Sequence, residues 1–504
     1  MKRILGFVLA LLLFVNTACA EIVQIDVLSL NDWHGHLRAA DGCPGAARLG
    51  GVVQGFRAKN PGGVLLLGAG DMFSGSIDAD EFKGLPVVSA MNEMKFAADC
   101  IGNHTFDYDM LLIRQQAVMA KFPLLAANIT STNGKPLPFK PYTITEASGV
   151  KIGVIGVIGK DAINKVKPGR ISGLEITAPE DAVNKYVPLL KNAGAEVIIV
   201  LAHIGSEEVD GRLTGDIVPL LEKTQGVDAF ITGDSHIVFA RGYNGIPVIQ
   251  AGEYGKFIGH IKLDYSTDDK KVTGSSAKVY NVNDLPPGSD AELARLLAPV
   301  FKSVDDKYNE VLAQNPSVLS NDRQGASPVG DYFMDLLKTG FAADIALYNG
   351  GAVRAQLSGG DVTLRNLKEI FPFNSKLYML KLKGSDILAA LEHGITGQEI
   401  SRIRFSGIKV TADLTAPEGK RIKNAVLTDG SKLESDKYYT VVTNDFMAEG
   451  GDGYVSLAKW RRKVLLWPEE DTDFFANRLR KFKTIGFTAD DRLIITGGNY
   501  GKVN

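Results

Sequence analysis

The segment "AFITGDSH" (229–236) delivers a carboxylate and an imidazole, Asp234 and His236, to the end of an apolar run. A buried strand gains nothing from this, because charged groups are costly away from water unless paired or bound to a cation. The same arrangement recurs through the first half of the chain. "VLSLNDWHGH" ends in Asp32 and His34, "VLLLGAGD" in Asp71, and "AADCIGNHTFDYD" in Asn103, His104 and Asp107. "VIIVLAHIG" ends in His203. In α/β sheets ligands bind beyond the carboxyl ends of the strands, so these five ends can converge on one spot. Imidazoles, carboxylates and an amide, with no thiolate cluster, suit divalent ions such as Zn²⁺, Mn²⁺, Co²⁺ or Mg²⁺. Two ions sharing a carboxylate would lie about 3.5–4 Å apart and could clamp a phosphoryl group during in-line displacement.

The histidine usage points the same way. Of seven histidines, five (His34, His36, His104, His203 and His236) follow the ends of apolar runs. One such histidine alone is more often a packing or surface residue; the joint pattern reverses that preference. His260, inside the strand pattern "IGHIKLDY", and His393, on the helical pattern "ILAALEHG", read as structural.

The elements that must position these residues alternate apolar runs with amphipathic stretches from Ile22 to about Tyr265, the signature of layered α/β architecture. Strands are expected at 22–30, 64–68, 97–101, 124–128, 150–157, 196–202, 229–232, 247–251 and 259–265, and helices at 108–121 and 179–192. The polar segment "STDDKKVTGSSAK" reads as a hairpin or surface loop. Ser289 and Glu292 then form a capping-box pattern, and apolar residues at helical spacing predict a helix over 291–312 that joins two domains. The second domain should open with a helix at 328–341 and hold another at 386–393. The expected division is a signal segment at 1–20, a catalytic domain at 21–288, a linker helix at 289–319 and a C-terminal domain at 320–504.

A chain of 504 residues exceeds one usual hydrophobic core. Lys and Arg total 56 against 58 Asp and Glu, so bulk charge gives no argument for nucleic-acid or anionic-membrane binding. The start, "MKRILGFVLALLLFVNTACA", has a basic head, an apolar run too short to span a bilayer comfortably, and an Ala-x-Ala site ending at Ala20. It reads as a cleaved secretory signal, which makes the mature chain an exported, non-inserted protein. Cleavage leaves Cys43 and Cys100, which an oxidising compartment would permit but not require to pair.

At these residues the chain resembles the 5′-nucleotidase family, including the periplasmic bifunctional UDP-sugar hydrolase/5′-nucleotidases. "NDWHGH", "GD", "GNHTFD" and "LAHIG" occur in that family's order, as do "NGGAVRA", "IFPFN" and "GGDGY" in the second half. The resemblance implies a calcineurin-like metallophosphoesterase sandwich followed by an α/β substrate-binding domain. It implies that Asp32 and His34 hold one metal, that Asp71 bridges to a second held by Asn103 and His203, and that His104 and Asp107 are the catalytic pair. The family pattern places two histidines, or a histidine and a glutamine, at the last positions. Here Asp234 stands at the first and His236 at the second. A carboxylate hardens the site and favours Mn²⁺ or Mg²⁺ over Zn²⁺.

The second domain is expected to hold the substrate. Asn349, Arg354 and Arg323 match family residues that face the phosphate side, and guanidinium groups suit phosphate. Leu319 replaces a further family arginine. Phe373 and Phe446 match the pair that sandwiches a nucleobase, and Asp452 would accept hydrogen bonds from ribose. A small-molecule nucleotide is therefore the expected partner and two divalent ions the expected cofactors. A UDP-sugar pyrophosphatase, a 2′,3′-cyclic-nucleotide phosphodiesterase or a thiosulfohydrolase would use the same machinery. A nucleotide-binding protein with a decayed metal site is the alternative of another class, favoured only by Asp234.

Overall fold

The computed structural model describes residues 21–40, 42–166, 168–396 and 402–497. The segment read as a signal, 1–20, lies outside the described residues.

Two six-stranded sheets build the first half. The first runs in the order Lys271–Asn281, Phe257–Ser266, Ile22–Leu30, Val64–Gly68, Ala98–Cys100, Leu124–Leu125. The second runs Val238–Tyr243, Ile246–Ala251, Ala229–Thr232, Val197–His203, Val150–Ile158, Tyr142–Ala147. In each, the strands that carry the candidate residues are parallel neighbours. Their side chains alternate between two cores, as the two-residue period of a strand requires. Ile25 and Val27 face a core shared with Val197, Ile199 and Leu201 of the second sheet. Leu28 and Leu30 face the helices Gly45–Lys59 and Leu85–Glu93. Ile198, Val200 and Ala202 face the helices Pro179–Asn192 and Ile217–Lys223. Strands buried on both faces read as unbroken apolar runs, which is why they stand out in the sequence. The product is a four-layer α/β/β/α sandwich.

The second half is a separate α/β unit. Its five-stranded sheet runs Arg404–Ser406, Ile345–Tyr348, Tyr438–Asn444, Leu377–Lys383, Arg462–Trp467. The helix Pro328–Gly340 shares one core with it, and Gly384–Thr396 shares another. Between the halves runs the helix Ala291–Tyr308. It is shorter than the sequence suggests, because Leu312 already belongs to the strand Val311–Asn315. Its N-cap is Asp290, whose carboxylate accepts from Leu293 N at 3.0 Å, rather than the capping box begun by Ser289. Arg38 ties this helix to the first half, donating to Asp78 at 2.9 Å and to Asp305 at 3.1 Å. Arg365 of the second half also donates to Asp305, at 2.6 Å.

The polar segment after Tyr265 forms the turn and edge strand of a hairpin, Phe257–Ser266 with Lys271–Asn281. The expected strand at 124–128 stops at Leu125. Beyond it, the Asn128 side chain leaves the ladder to bond both backbone groups of Ile158, at 2.9 and 3.0 Å. Cys43 and Cys100 are both buried and are not bonded to each other. Titration of the mature protein with a thiol reagent in denaturant, without reductant, should therefore count two reactive thiols; a count of zero would mean that they are paired.

Candidate active site

Six strand ends from both sheets meet at one place. Asp32 follows Ile22–Leu30, Asp71 follows Val64–Gly68, and Asn103 and His104 follow Ala98–Cys100. From the second sheet, His203 closes Val197–His203, Asp234 and His236 follow Ala229–Thr232, and Glu253 and Tyr254 follow Ile246–Ala251. Asp32, His34, Asp71, Asn103 and His203 are buried.

Two triads of donor atoms result, Asp32/His34/His236 and Asp32/Asp71/His203, each with its atoms within 4.8 Å of one another. His34 Nε2 lies 3.2 Å from His236 Nε2, and His236 Nε2 is 3.4 Å from Asp32 Oδ1. His203 Nε2 is 3.1 Å from Asp71 Oδ2 and 3.7 Å from Asp234 Oδ1. Asn103 presents its amide to the same space. With nitrogen inward it donates to Asp71 Oδ2 (3.2 Å) and Asp234 Oδ1 (3.3 Å); with oxygen inward it faces His203 Nε2 at 3.1 Å. The structure thus brings all seven expected donors together. It differs in one respect: the carboxylate common to both triads is Asp32, while Asp71 enters only one.

The outer nitrogens of the imidazoles are spoken for. His34 Nδ1 meets Ser74 O at 3.1 Å, His203 Nδ1 meets Ala69 O at 2.9 Å, and His236 Nδ1 meets Glu253 Oε2 at 2.6 Å. A proton held on Nδ1 by such a partner leaves Nε2 as the inward lone pair, the usual arrangement of a metal-ligating histidine. Burial alone would lower the pKa of His203, but Asp71, Asp32 and Asp234 outweigh it and raise it to about 10. At His236, Asp32 and Glu253 likewise overcome burial and raise the pKa to about 9. Without metal, protons therefore collect on His203 and His236, whereas burial and the neighbouring His104 outweigh Asp71 and Asp32 at His34 and lower its pKa to about 4. A divalent cation would place its charge at the same points, so this donor set fits a two-metal centre.

Backbone strain accompanies the geometry. Asp32 (φ 49°), His34 (49°), Asp71 (52°), Asp234 (77°) and His236 (59°) all occupy the left-handed region, at about 1–2 kcal/mol each for a residue with a Cβ. Such outliers persist where the surroundings over-determine them, often at functional sites. Gly102 permits the close approach: a Cβ there would sit 2.0 Å from Asp71 Oδ1.

Beside the triads, His104 Nδ1 meets Asp107 Oδ2 at 2.8 Å, and His104 N donates to Asp71 Oδ1 at 2.9 Å. Ser74 Oγ donates to Asp107 Oδ2 at 3.0 Å and fixes it. Burial would lower the His104 pKa, but Asp107 and Asp71 hold it at about 9.

The second half contributes a separate cluster. Asn349 Nδ2 donates to Asp452 Oδ2 at 3.2 Å and Asn444 Nδ2 to Asn349 Oδ1 at 2.9 Å. The Arg354 guanidinium lies over the Phe373 ring, 5.1 Å from its centroid. Burial lowers the Arg354 pKa, and the nearby Arg323 lowers it further. Phe446 packs against Gly451, where a Cβ would come within 2.5 Å of the ring. Leu319 is buried and pairs its backbone with Leu357, so this position faces the core and not a phosphate. His260 bonds Asp26 at 2.6 Å, and His393 meets the Asp452 carbonyl at 2.7 Å; neither joins the metal donors. Sequence reading missed Tyr254, which connects the two clusters. Its ring lies tilted against His36, with centroids 4.0 Å apart, and edge-on to His34 at 5.8 Å, and it is close enough to Arg354 for their charges to interact. The signal was present, since "AGEYGK" follows an apolar strand as the other donors do. Ser74 and Lys165 left no comparable signal.

A four-layer sandwich with two candidate cation-binding triads at its strand ends, joined to a second α/β domain, has the architecture of a two-domain metallophosphoesterase. A family model described as the 5′-nucleotidase C-terminal domain matches residues 308–459. The snake venom 5′-nucleotidase of Naja atra is 28% identical over 498 residues, spanning 86% of this chain and 92% of its own length. Endonuclease YhcR of Bacillus subtilis is 28% identical over 511 residues, which span 95% of this chain but only 41% of that protein. The crystal structure of a 5′-nucleotidase precursor from Thermus thermophilus has the same fold, with a TM-score of 0.77 at 24% identity, covering 94% of this chain and 99% of that one. Residues 308–459 thus match a 5′-nucleotidase C-terminal domain, and the chain along most of its length is similar to 5′-nucleotidases. Among the described residues no helix is long and apolar enough to cross a membrane.

Proposed function

We propose that the chain, exported by its N-terminal signal, hydrolyses nucleoside 5′-monophosphates to nucleoside and phosphate. The carrying observation is the pair of donor triads sharing Asp32, set beside the His104–Asp107 pair. Asp32, His34 and His236 would hold one divalent ion, and Asp71, Asn103, His203 and Asp234 the other. Bound there, the ions would polarise the phosphoryl oxygens and acidify a water. Asp107 holds Nδ1 of His104 and so aims its other ring nitrogen, Nε2, at the charge that builds on the phosphoryl or leaving-group oxygen. Arg354 and Arg323 would orient the phosphate, Phe373 and Phe446 would stack on the base, and Asp452 would bond the ribose. The proposed division is a catalytic unit at 21–288, a linker at 289–319 and a substrate unit at 320–504.

The test is phosphate release from AMP, UDP-glucose, 2′,3′-cyclic AMP and bis-nitrophenyl phosphate after EDTA treatment, with Mn²⁺, Co²⁺, Zn²⁺ or Mg²⁺ restored singly. AMP turnover that returns only with added metal supports the reading; full activity without metal overturns it. Base stacking makes a separate prediction. A stacked base contributes about 1–3 kcal/mol, so Phe446→Ala should raise KM for AMP by about tenfold or more. KM for nitrophenyl phosphate should stay within a few-fold of the parent. Equal effects on both substrates would remove Phe446 from the base site.

A further inference from the structure

Asp234 has a partner that the metal reading does not use. Lys165 Nζ lies 2.8 Å from Asp234 Oδ1 and 2.9 Å from Oδ2. Lys165 follows the helix Lys160–Asn164, which itself follows the strand Val150–Ile158, so it too comes from the carboxyl end of a strand in the second sheet. Its side chain is 53% exposed, whereas that of Asp234 is 6% exposed. The Asp234 backbone is pinned from the other side, its N–H donating to both carboxylate oxygens of Asp32 at 3.2 and 3.0 Å. With the main chain fixed on Asp32 and the carboxylate held by Lys165, Oδ1 is turned towards His203 Nε2 and the Asn103 amide.

The electrostatic consequence follows from position. Asp32, Asp71 and Asp234 place three carboxylates around one small space, and Asp216 lies close enough to Asp161, Asp234 and Lys165 for their charges to interact. An unpaired Asp234 would add a full negative charge where a neutral imidazole would add none. An ammonium on both of its oxygens cancels that charge and leaves the oxygens' lone pairs in place as donors.

We propose, building on the two-metal reading above, that Lys165 is a positioning residue which makes Asp234 a charge-neutral donor, so that the second cation position binds its ion loosely and exchangeably. The ammonium opposes a cation on Asp234 across a few ångströms. Even in water-like surroundings, a unit charge against a divalent ion at this range costs about tenfold or more in affinity.

The measurement is calorimetric titration of the metal-free protein with Mn²⁺, resolving the tight and loose ions. Lys165→Met should tighten the loose ion by about tenfold and leave the tight ion within a few-fold. Lys165→Arg, which keeps the charge, should retain the parent affinity. The double variant Asp234→His with Lys165→Met should also return to the parent value, because both charges leave together. The proposal is overturned if Lys165→Met leaves the loose ion unchanged or weakens it, or if Lys165→Arg behaves as Lys165→Met does. It is overturned for a different reason if the parent protein binds only one Mn²⁺, since the two-metal reading then fails before Lys165 is tested.

Discussion

Asp32→Asn should lower kcat for AMP hydrolysis by about 10³-fold or more and strip metal from the protein. Asp32 is the only carboxylate in both donor triads and is fully buried. The change removes one of three charges that make the space attractive to cations. It also turns an amide towards groups arranged for a carboxylate, because Asn31 Nδ2 (2.7 Å) and the Asp234 N–H both donate to Asp32. Lewis-acid stabilisation of a phosphoryl transition state is worth several kcal/mol, and each 1.36 kcal/mol is a factor of about ten in rate. Elemental analysis after gel filtration in metal-free buffer gives the second readout. A variant that keeps its metal and turns over within tenfold of the parent would remove Asp32 from the centre.

His104→Asn should behave differently. Its metal content should be normal, KM should change little, and kcat should fall by about 10²–10⁴, the span typical of a positioned acid–base group. The geometry requires this separation. His104 lies beside the triads, its ring centroid 5.1 Å from that of His34, while its Nδ1 is engaged by Asp107 and not by the cage. Asp107→Asn should give a smaller loss, since Ser74 and the His104 backbone still hold that segment in place. If His104→Asn lost metal in parallel with activity, His104 would be a ligand and not the acid.

Much of this centre was legible in the sequence, because doubly buried strands advertise themselves as apolar runs and a polar residue at the end of one has no packing explanation. The helix Pro179–Asn192 was legible to the residue, since its polar face alternates with Ala182, Val183, Val187 and Leu190. The helix Gly45–Lys59 was not. Its sequence, "GAARLGGVVQGFRAK", is rich in glycine and carries a weak helical period, and its place is set by packing within the core that Leu293 and Leu297 of the linking helix also enter. The centre divides in the same way. Residue type announced the donors, but the Lys165–Asp234 pair joins residues 69 apart in sequence, and Tyr254 and Arg354 come together from different domains. Neither pair has a local spacing to read. The left-handed backbone at Asp32, His34, Asp71, Asp234 and His236 was equally invisible, because none is glycine and only tertiary contacts force the conformation.

Those five twisted residues make thermal endurance and turnover competing goods in this molecule. A laboratory screen that selects only for survival on heating should gather glycine or asparagine at just these turns, and each gain in melting temperature won there would come with a silenced enzyme.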